Sequence, residues 1–139
     1  MHRRQGFTLV ELLLVLVILA VLAAIVIPKM AGRSEQARET AATTQIAAFK
    51  TALDTFEIDN GYYPSGEKGL DELVDEPSNA KNWRGPYLDN IPVDPWGNEY
   101  IYEYPGKNNQ KGYDIMSVGP DGRANTDDDI VSWKKDDNK

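Results

Sequence analysis

Hydrophobic and polar positions change their period twice along this chain. From Phe7 to Ile27 every residue is apolar except Thr8 and Glu11, an unbroken run of 21 residues. As a helix it would reach about 31 Å at 1.5 Å per residue, close to the hydrocarbon thickness of a bilayer. Beyond Ala31 the pattern becomes one-sided. Ile46, Phe49, Leu53 and Phe56 recur at spacings of three, four and three, which is a single helical stripe. Ala41, Ala42, Ala47, Ala48 and Ala52 add helix propensity and permit close packing, and Ser34, Glu35, Gln36, Arg38 and Glu39 fill the polar stretch between. No linker composition separates the two parts, so one helix is predicted over about residues 8–58. Pro28 is expected to loosen it without ending it. Asp59-Asn60-Gly61 is the stop, with Gly61 placed for a left-handed cap.

Residues 61–97 show neither period. Tyr62-Tyr63-Pro64-Ser65-Gly66 is turn chemistry, and Lys68 to Val74 fits one short helix with Leu70, Leu73 and Val74 inward. The Pro, Gly and aromatic residues of Trp83–Leu88 and Pro92–Gly97 suggest large rings packed on rigid turns, with an aromatic binding groove as the sharper alternative. Alternation then returns at Glu99–Tyr104, with Tyr100, Tyr102 and Tyr104 on one face and Ile101 on the other. Tyr113–Val118 reads as a second strand and Ile130–Trp133 as a short third. The prediction is an α+β domain, three antiparallel strands packed across the amphipathic half of the helix. The charged tail from Lys134 is expected to fray.

Charge narrows the function classes. The net charge is −7, yet residues 1–30 carry Arg3, Arg4 and Lys29 against Glu11 alone, so the acid lies in the remainder. An acidic domain argues against nucleic acid, which needs a basic face, and suits a divalent cation. There is no cysteine, so disulfides cannot secure the loops of a small domain, and a metal is one candidate for that task. The single histidine, His2, precedes the apolar run. Ser-His-Asp, Cys-His and His-based zinc chemistry are therefore not expected in the folded part.

The apolar run admits three readings. An ordinary signal peptide has a shorter core and no carboxylate within it. A simple single-pass anchor accounts for the length and leaves Glu11 unexplained, although a carboxylate there costs roughly 2.5–3.5 kcal/mol on insertion scales. The third reading rests on Arg3-Arg4-Gln5-Gly6-Phe7-Thr8-Leu9-Val10-Glu11, which resembles the type III signal of the type IV pilin superfamily. That resemblance implies cleavage by a prepilin peptidase between Gly6 and Phe7, and N-methylation of Phe7. It divides the chain into a leader (1–6), a transmembrane and filament-core helix (7–30), an amphipathic half (31–60) and a globular region (61–139). Arg3 and Arg4 before the span place the N-terminus in the cytoplasm and the residues after Met30 outside. Glu11 would then meet the new amine of a neighbouring subunit, and such a pair sets axial register because a slip strands both charges.

Between the last two strands, Gly119-Pro120-Asp121-Gly122-Arg123-Ala124-Asn125-Thr126-Asp127-Asp128-Asp129 concentrates carboxylates in a tight loop. Calcium takes hard oxygens from carboxylates and carbonyls and suits such a loop; a solvated acidic turn is the other reading. The EF-hand pattern is not met. Beyond this loop, Phe56–Pro64 (FEIDNGYYP), Gly69–Val74, Asn82–Leu88 (NWRGPYL), Asp94–Tyr102 (DPWGNEYIY) and Tyr113 onward (YDIMSVGPDG, then DDDI to Trp133) are similar, in order, to the type II secretion major pseudopilins of the protein G family. The resemblance implies a pilin-like fold and calcium bound in the loop 118–129. By position the ligands are Asp121, Asp127, Asp129 and the Val118 carbonyl. The loop is shorter than the family's glycine-rich version, which leaves Asp128 and Asn125 as further candidates.

The same resemblance implies a non-enzymatic subunit of a homopolymeric filament that pushes folded proteins through an outer-membrane channel. Its implied partners are itself, minor pseudopilins, an inner-membrane platform protein, a secretion ATPase and the prepilin peptidase. Its implied location is the inner membrane, single-pass, with the C-terminal domain in the periplasm. Two rivals remain: a type IV pilin for adhesion, twitching or DNA uptake, whose usual C-terminal disulfide this chain lacks, and a membrane-anchored calcium-dependent binding module. A carboxylate-dyad hydrolase is the weakest reading, since no cleft-lining set accompanies Asp127 and Asp129.

Overall fold

The computed structural model describes residues 6–66 and 68–133, with the side chains at 26–31 outside that description. Helix α1 spans Leu9–Asn60, followed by a 3-10 helix at Gly69–Leu73 and strands β1 (Ile101–Glu103), β2 (Asp114–Ser117) and β3 (Ile130–Val131). The strands form one antiparallel sheet in the order β1-β2-β3. The α+β class expected from the pattern is the one observed. The chain divides into two units, one ending at Ala37 and one beginning at Arg38. The loosening expected at Pro28 falls on side chains outside the described residues.

In the first unit the apolar residues of α1 from Leu9 to Ile25 are all exposed. Among the described residues no helix is long and apolar enough to cross a membrane.

The second unit folds around the predicted stripe. Phe49, Leu53 and Phe56 are completely buried and Ile46 nearly so, against Leu70, Leu73, Tyr100, Tyr113 and Ile115. Each large apolar side chain buried this way contributes roughly 1.5–3 kcal/mol. The rings meet edge to face, Phe49 with Tyr100 at 5.0 Å, Phe56 with Tyr87 at 5.5 Å and Tyr63 with Tyr113 at 4.9 Å between centroids. The aromatics of the loop-rich middle thus pack into the core, as the turn-and-ring pattern suggested.

Tyrosine hydroxyls then do what disulfides do in other small domains. Tyr63 and Tyr113 both donate to Asp54 Oδ1 on α1 at 3.2 Å, Tyr87 donates to Asp59 Oδ2 at 2.9 Å, and Tyr102 donates to the Pro64 carbonyl at 2.7 Å. Loops and strand are tied to the helix and to one another through an apolar ring with one polar tip. Burial is the main reason the Tyr113 hydroxyl titrates above its usual range, with the Asp54 carboxylate adding to it.

Element ends differ slightly from the sequence expectation, for local reasons. The helix runs two residues further, because Asn60 Nδ2 donates to the Phe56 carbonyl at 3.0 Å and satisfies an acceptor of the last turn. Gly61 then takes φ +80°, and its N–H reaches the Glu57 carbonyl at 2.7 Å, the predicted left-handed cap. The third strand stops at Val131 because the Ser132 side chain joins the ladder. Its Oγ accepts from the Ile115 N–H and its own N–H donates to the Ile115 carbonyl, both at 2.9 Å. β1 is shorter than the expected Glu99–Tyr104, but the faces agree, with Tyr100 just before the strand buried and Ile101 exposed. Pro105 brings no N–H with which to extend the strand past Tyr104.

Candidate functional site

Two regions carry the residues singled out in the sequence, one in each unit. At the N-terminus Gly6 and Phe7 precede the helix in irregular, exposed backbone, and a Cβ at Gly6 would touch nothing within 4 Å. A peptide bond in that state is open to a protease. Thr8 caps the helix, its Oγ1 accepting from the Glu11 N–H at 3.2 Å. Thr8-Leu9-Val10-Glu11 has the capping-box spacing, so Glu11 also sits where a carboxylate favours the helix dipole. The cap has a local signal, T-x-x-E, that the sequence expectation did not include.

The acidic loop lies between β2 and β3. Its neck closes at Gly119, which takes φ +63°, and a Cβ there would collide with the Asp128 backbone carbonyl. Only glycine meets both demands at low cost. Val118 and Asp129 are buried, Asp128 half-buried, and Asp121, Asp127 and Asn125 exposed, with Asn125 at φ +68°.

The structure brings Asp121, Asp128 and Asp129 around Thr126. Its Oγ1 lies 2.7 Å from Asp128 Oδ1, 3.0 Å from the Arg123 carbonyl, 3.3 Å from Asp129 Oδ1 and 3.4 Å from Asp121 Oδ1. One hydroxyl proton serves one of these four acceptors at a time. Backbone N–H groups serve the carboxylates as well, and Asp121 Oδ1 itself accepts from the Arg123 N–H at 2.8 Å. Asp129 Oδ2 accepts from Asn125 at 2.7 Å and Thr126 at 3.2 Å, and Asp128 Oδ2 accepts from Asp121 at 3.1 Å. Among the described residues no three His, Cys, Asp or Glu side chains stand grouped to hold an ion. What the loop does present is carboxylate and carbonyl oxygens gathered around one point, the donor chemistry a hard cation takes. Thr126, at the centre of these oxygens, was not among the expected site residues, because a single threonine in an acidic loop carries no local signal of its place.

A second group was also missed. Asp94, buried in the DPWGN turn, accepts from the N–H groups of Trp96 (3.1 Å) and Asn98 (2.8 Å) through Oδ1. Its Oδ2 accepts from the Ser117 hydroxyl at 2.6 Å, and Ser117 Oγ in turn accepts from the Gly119 N–H at 3.2 Å. Asp before Pro-x-Gly-Asn is a recognisable Asx-turn signal. Its long-range partner Ser117 left no mark in the local sequence. At the opposite end of β2, buried Asp114 accepts from the Asn108 and Asn109 N–H groups at 2.7 and 3.0 Å and holds the loop before the strand.

A capped apolar helix behind a short basic leader, with its second half packed on a small antiparallel sheet, defines a pilin-like subunit. Comparison with known proteins bears this out and narrows it. Residues 1–27 match the prokaryotic N-terminal methylation motif, and residues 29–133 match the family Type II secretion system (T2SS), protein G. The chain is 46% identical to type II secretion system core protein G of Pseudomonas aeruginosa over 143 residues, covering 96% of this chain and 99% of the relative. It is 44% identical to the Aeromonas hydrophila protein over 136 residues (95% and 94%) and 41% identical to that of Escherichia coli K12 over 135 residues (94% and 92%). The crystal structure of the major pseudopilin from the type 2 secretion system of enterohaemorrhagic Escherichia coli superposes with a TM-score of 0.65 at 36% identity, covering 76% of this chain and 95% of that one. The chain belongs to the type II secretion system protein G family.

Proposed function

We propose that this chain is the major structural subunit of a type II secretion pseudopilus. Coverage carries the reading: the methylation motif and the protein G match abut, and relatives of that name align over nearly the whole chain. Prepilin peptidase cuts between Gly6 and Phe7, and the subunit waits in the inner membrane with its acidic domain in the periplasm. The apolar side chains of Leu9–Ile25, exposed in the single chain, exchange lipid for neighbouring helices as the filament grows. Head-to-tail contacts that do not close yield a filament. Glu11 pairs with the Phe7 amine of an adjacent subunit. The platform protein, the secretion ATPase and minor pseudopilins serve assembly, and the filament drives folded proteins outward.

The loop after β2 holds calcium in this reading. The carboxylate and carbonyl oxygens gathered around Thr126 support it, with Asp121, Asp129, one of Asp127 and Asp128, and the Val118 carbonyl as ligands, and Asn125 as a further candidate. Bound calcium would neutralise the clustered carboxylates and tie the loop's ends, adding binding energy to folding.

Intact mass tests the processing step. Chains from cells with prepilin peptidase should be lighter by the leader than chains from cells without it, and equal masses would remove the pilin reading. Filaments recovered only when the type II secretion genes are present distinguish the secretion role from that of a surface pilus. For the cation, the full chain in detergent should melt several degrees higher with calcium, and Asp121→Ala should remove the rise. A parent without a shift leaves the loop a solvated turn.

A further inference from the structure

We propose that Asp94 is a positioning residue for the cation loop, acting through Ser117 to aim the Val118 carbonyl; the proposal rests on the calcium reading above. Asp94 is buried, and its carboxylate is acceptor-only when ionised. At 2.6 Å it takes the single proton of the completely buried Ser117 hydroxyl. That leaves only lone pairs on Ser117 Oγ, and one of them accepts the Gly119 N–H at 3.2 Å. The carboxylate therefore determines which way the hydroxyl points, and the hydroxyl determines where the Gly119 N–H points.

The Gly119 N–H belongs to the same peptide plane as the Val118 carbonyl, and that bond is trans. In a trans peptide the two groups face opposite ways, so turning the N–H toward Ser117 turns the carbonyl away from it. A flexible glycine at φ +63° would otherwise let this plane rotate. Asp94 itself cannot drift, because the Trp96 and Asn98 N–H groups hold its other oxygen. The DPWGN turn thus reaches the loop through two hydrogen bonds. It contributes no ligand of its own and sets the direction of a backbone one.

An amide at position 94 reverses the chain of donors. Trp96 and Asn98 still demand an oxygen, so the amide nitrogen would face Ser117 and donate to it, competing with the Gly119 N–H for the same lone pairs. Asp94→Asn, nearly identical in shape, is therefore the sharp variant. Ser117→Ala deletes the relay while leaving both turn hydrogen bonds of Asp94 intact. It decides the question should Asp94→Asn fail to fold. Asp114→Asn, which disturbs a loop at the other end of β2, is the control for general weakening.

Calcium titration of the full chain in detergent, at a temperature where circular dichroism shows every variant folded, gives the dissociation constants. Loss of a partner that orients a metal ligand weakens binding roughly 10–100-fold, which is expected of Asp94→Asn and Ser117→Ala but not of Asp114→Asn. Val118-Gly119 is the only Val-Gly pair in the sequence, so carbonyl-13C valine with 15N-glycine reports a single peptide plane by NMR. Its cross-peak should move on calcium addition in the parent. In Asp94→Asn it should be displaced before any cation is added. Variants that bind as tightly as the parent, or a control that weakens equally, would overturn the proposal. A parent that binds no calcium would remove the cation reading and this one with it.

Discussion

The two halves of α1 carry similar apolar side chains and bury them oppositely. In the first half exposure runs from 48% at Val15 to 75% at Leu9, whereas Phe49, Leu53 and Phe56 in the second half are at 0%. The second half brings its own partner, since the sheet and the aromatic loops of the same chain cover its stripe. Apolar residues surround the first half on every side, and the side chains of Leu9–Ile25 are exposed. One surface is buried by the folded domain; the other stays exposed along the described helix.

The largest effect expected from this contrast concerns Glu11. Glu11→Gln keeps the capping-box geometry, because glutamine serves at that position too, and removes only the charge. Breaking one side of a buried ion pair costs about 3–5 kcal/mol, so incorporation into filaments should fall by two orders of magnitude or more while membrane insertion is retained. Thr8→Ala removes the cap and keeps the charge, and should cost only about 1 kcal/mol. Cross-linked filament fractions compare the two. If Glu11→Gln assembles normally, the residue is a cap and the register argument fails.

A core pair comes next. Phe49→Ala should destabilise the unassembled chain by about 3–5 kcal/mol in denaturant unfolding followed by near-UV circular dichroism. Leu16→Ala should stay within about 0.5 kcal/mol in the same measurement. Equal losses would mean that the two halves of the helix are not energetically separate.

The smallest effects are those of pH, confined to the second half's surroundings. Burial first, and the Asp94 carboxylate second, push the Tyr100 hydroxyl up to about 12. The unfolded chain ionises this group near 10, so its contribution is complete below pH 10 and is lost between pH 10 and about 12. Alkaline titration of the aromatic circular dichroism should show unfolding in that window. Burial also raises the Glu72 carboxyl, whose Oε2 has no hydrogen-bond partner among the described residues. Its contribution is complete below its ordinary value near 4.5 and declines as pH rises through the folded value. Glu72→Gln should therefore melt higher than the parent at pH 7, with the gap closing in acid.

Periodic features were legible in advance because they arise from neighbours along the chain. The stripe Ile46–Phe56, the left-handed Gly61 and the alternation around Tyr102 each follow from local geometry, and each stands where expected. Long-range features were not legible. Ser132 inserts its side chain into the ladder beside Ile115, and Asp94 finds Ser117, only because the folded chain brings distant segments together. The loop shows both kinds. Its acidity was plain in the sequence, whereas the gathering of oxygens on Thr126 depends on how the Gly119 neck closes.

By itself the sequence determined the helix, the order of the elements, the methylation motif that includes Glu11, and the acid concentrated after β2. These follow from residue type and spacing, which need no partner elsewhere in the chain. The tertiary structure alone decided that tyrosine hydroxyls replace disulfides as ties, that Thr126 sits among the carboxylates, and that a buried aspartate at a remote turn governs the backbone at the loop's neck. Those depend on side chains meeting across dozens of residues, and a hydrogen bond acquires its direction only once both partners are in place.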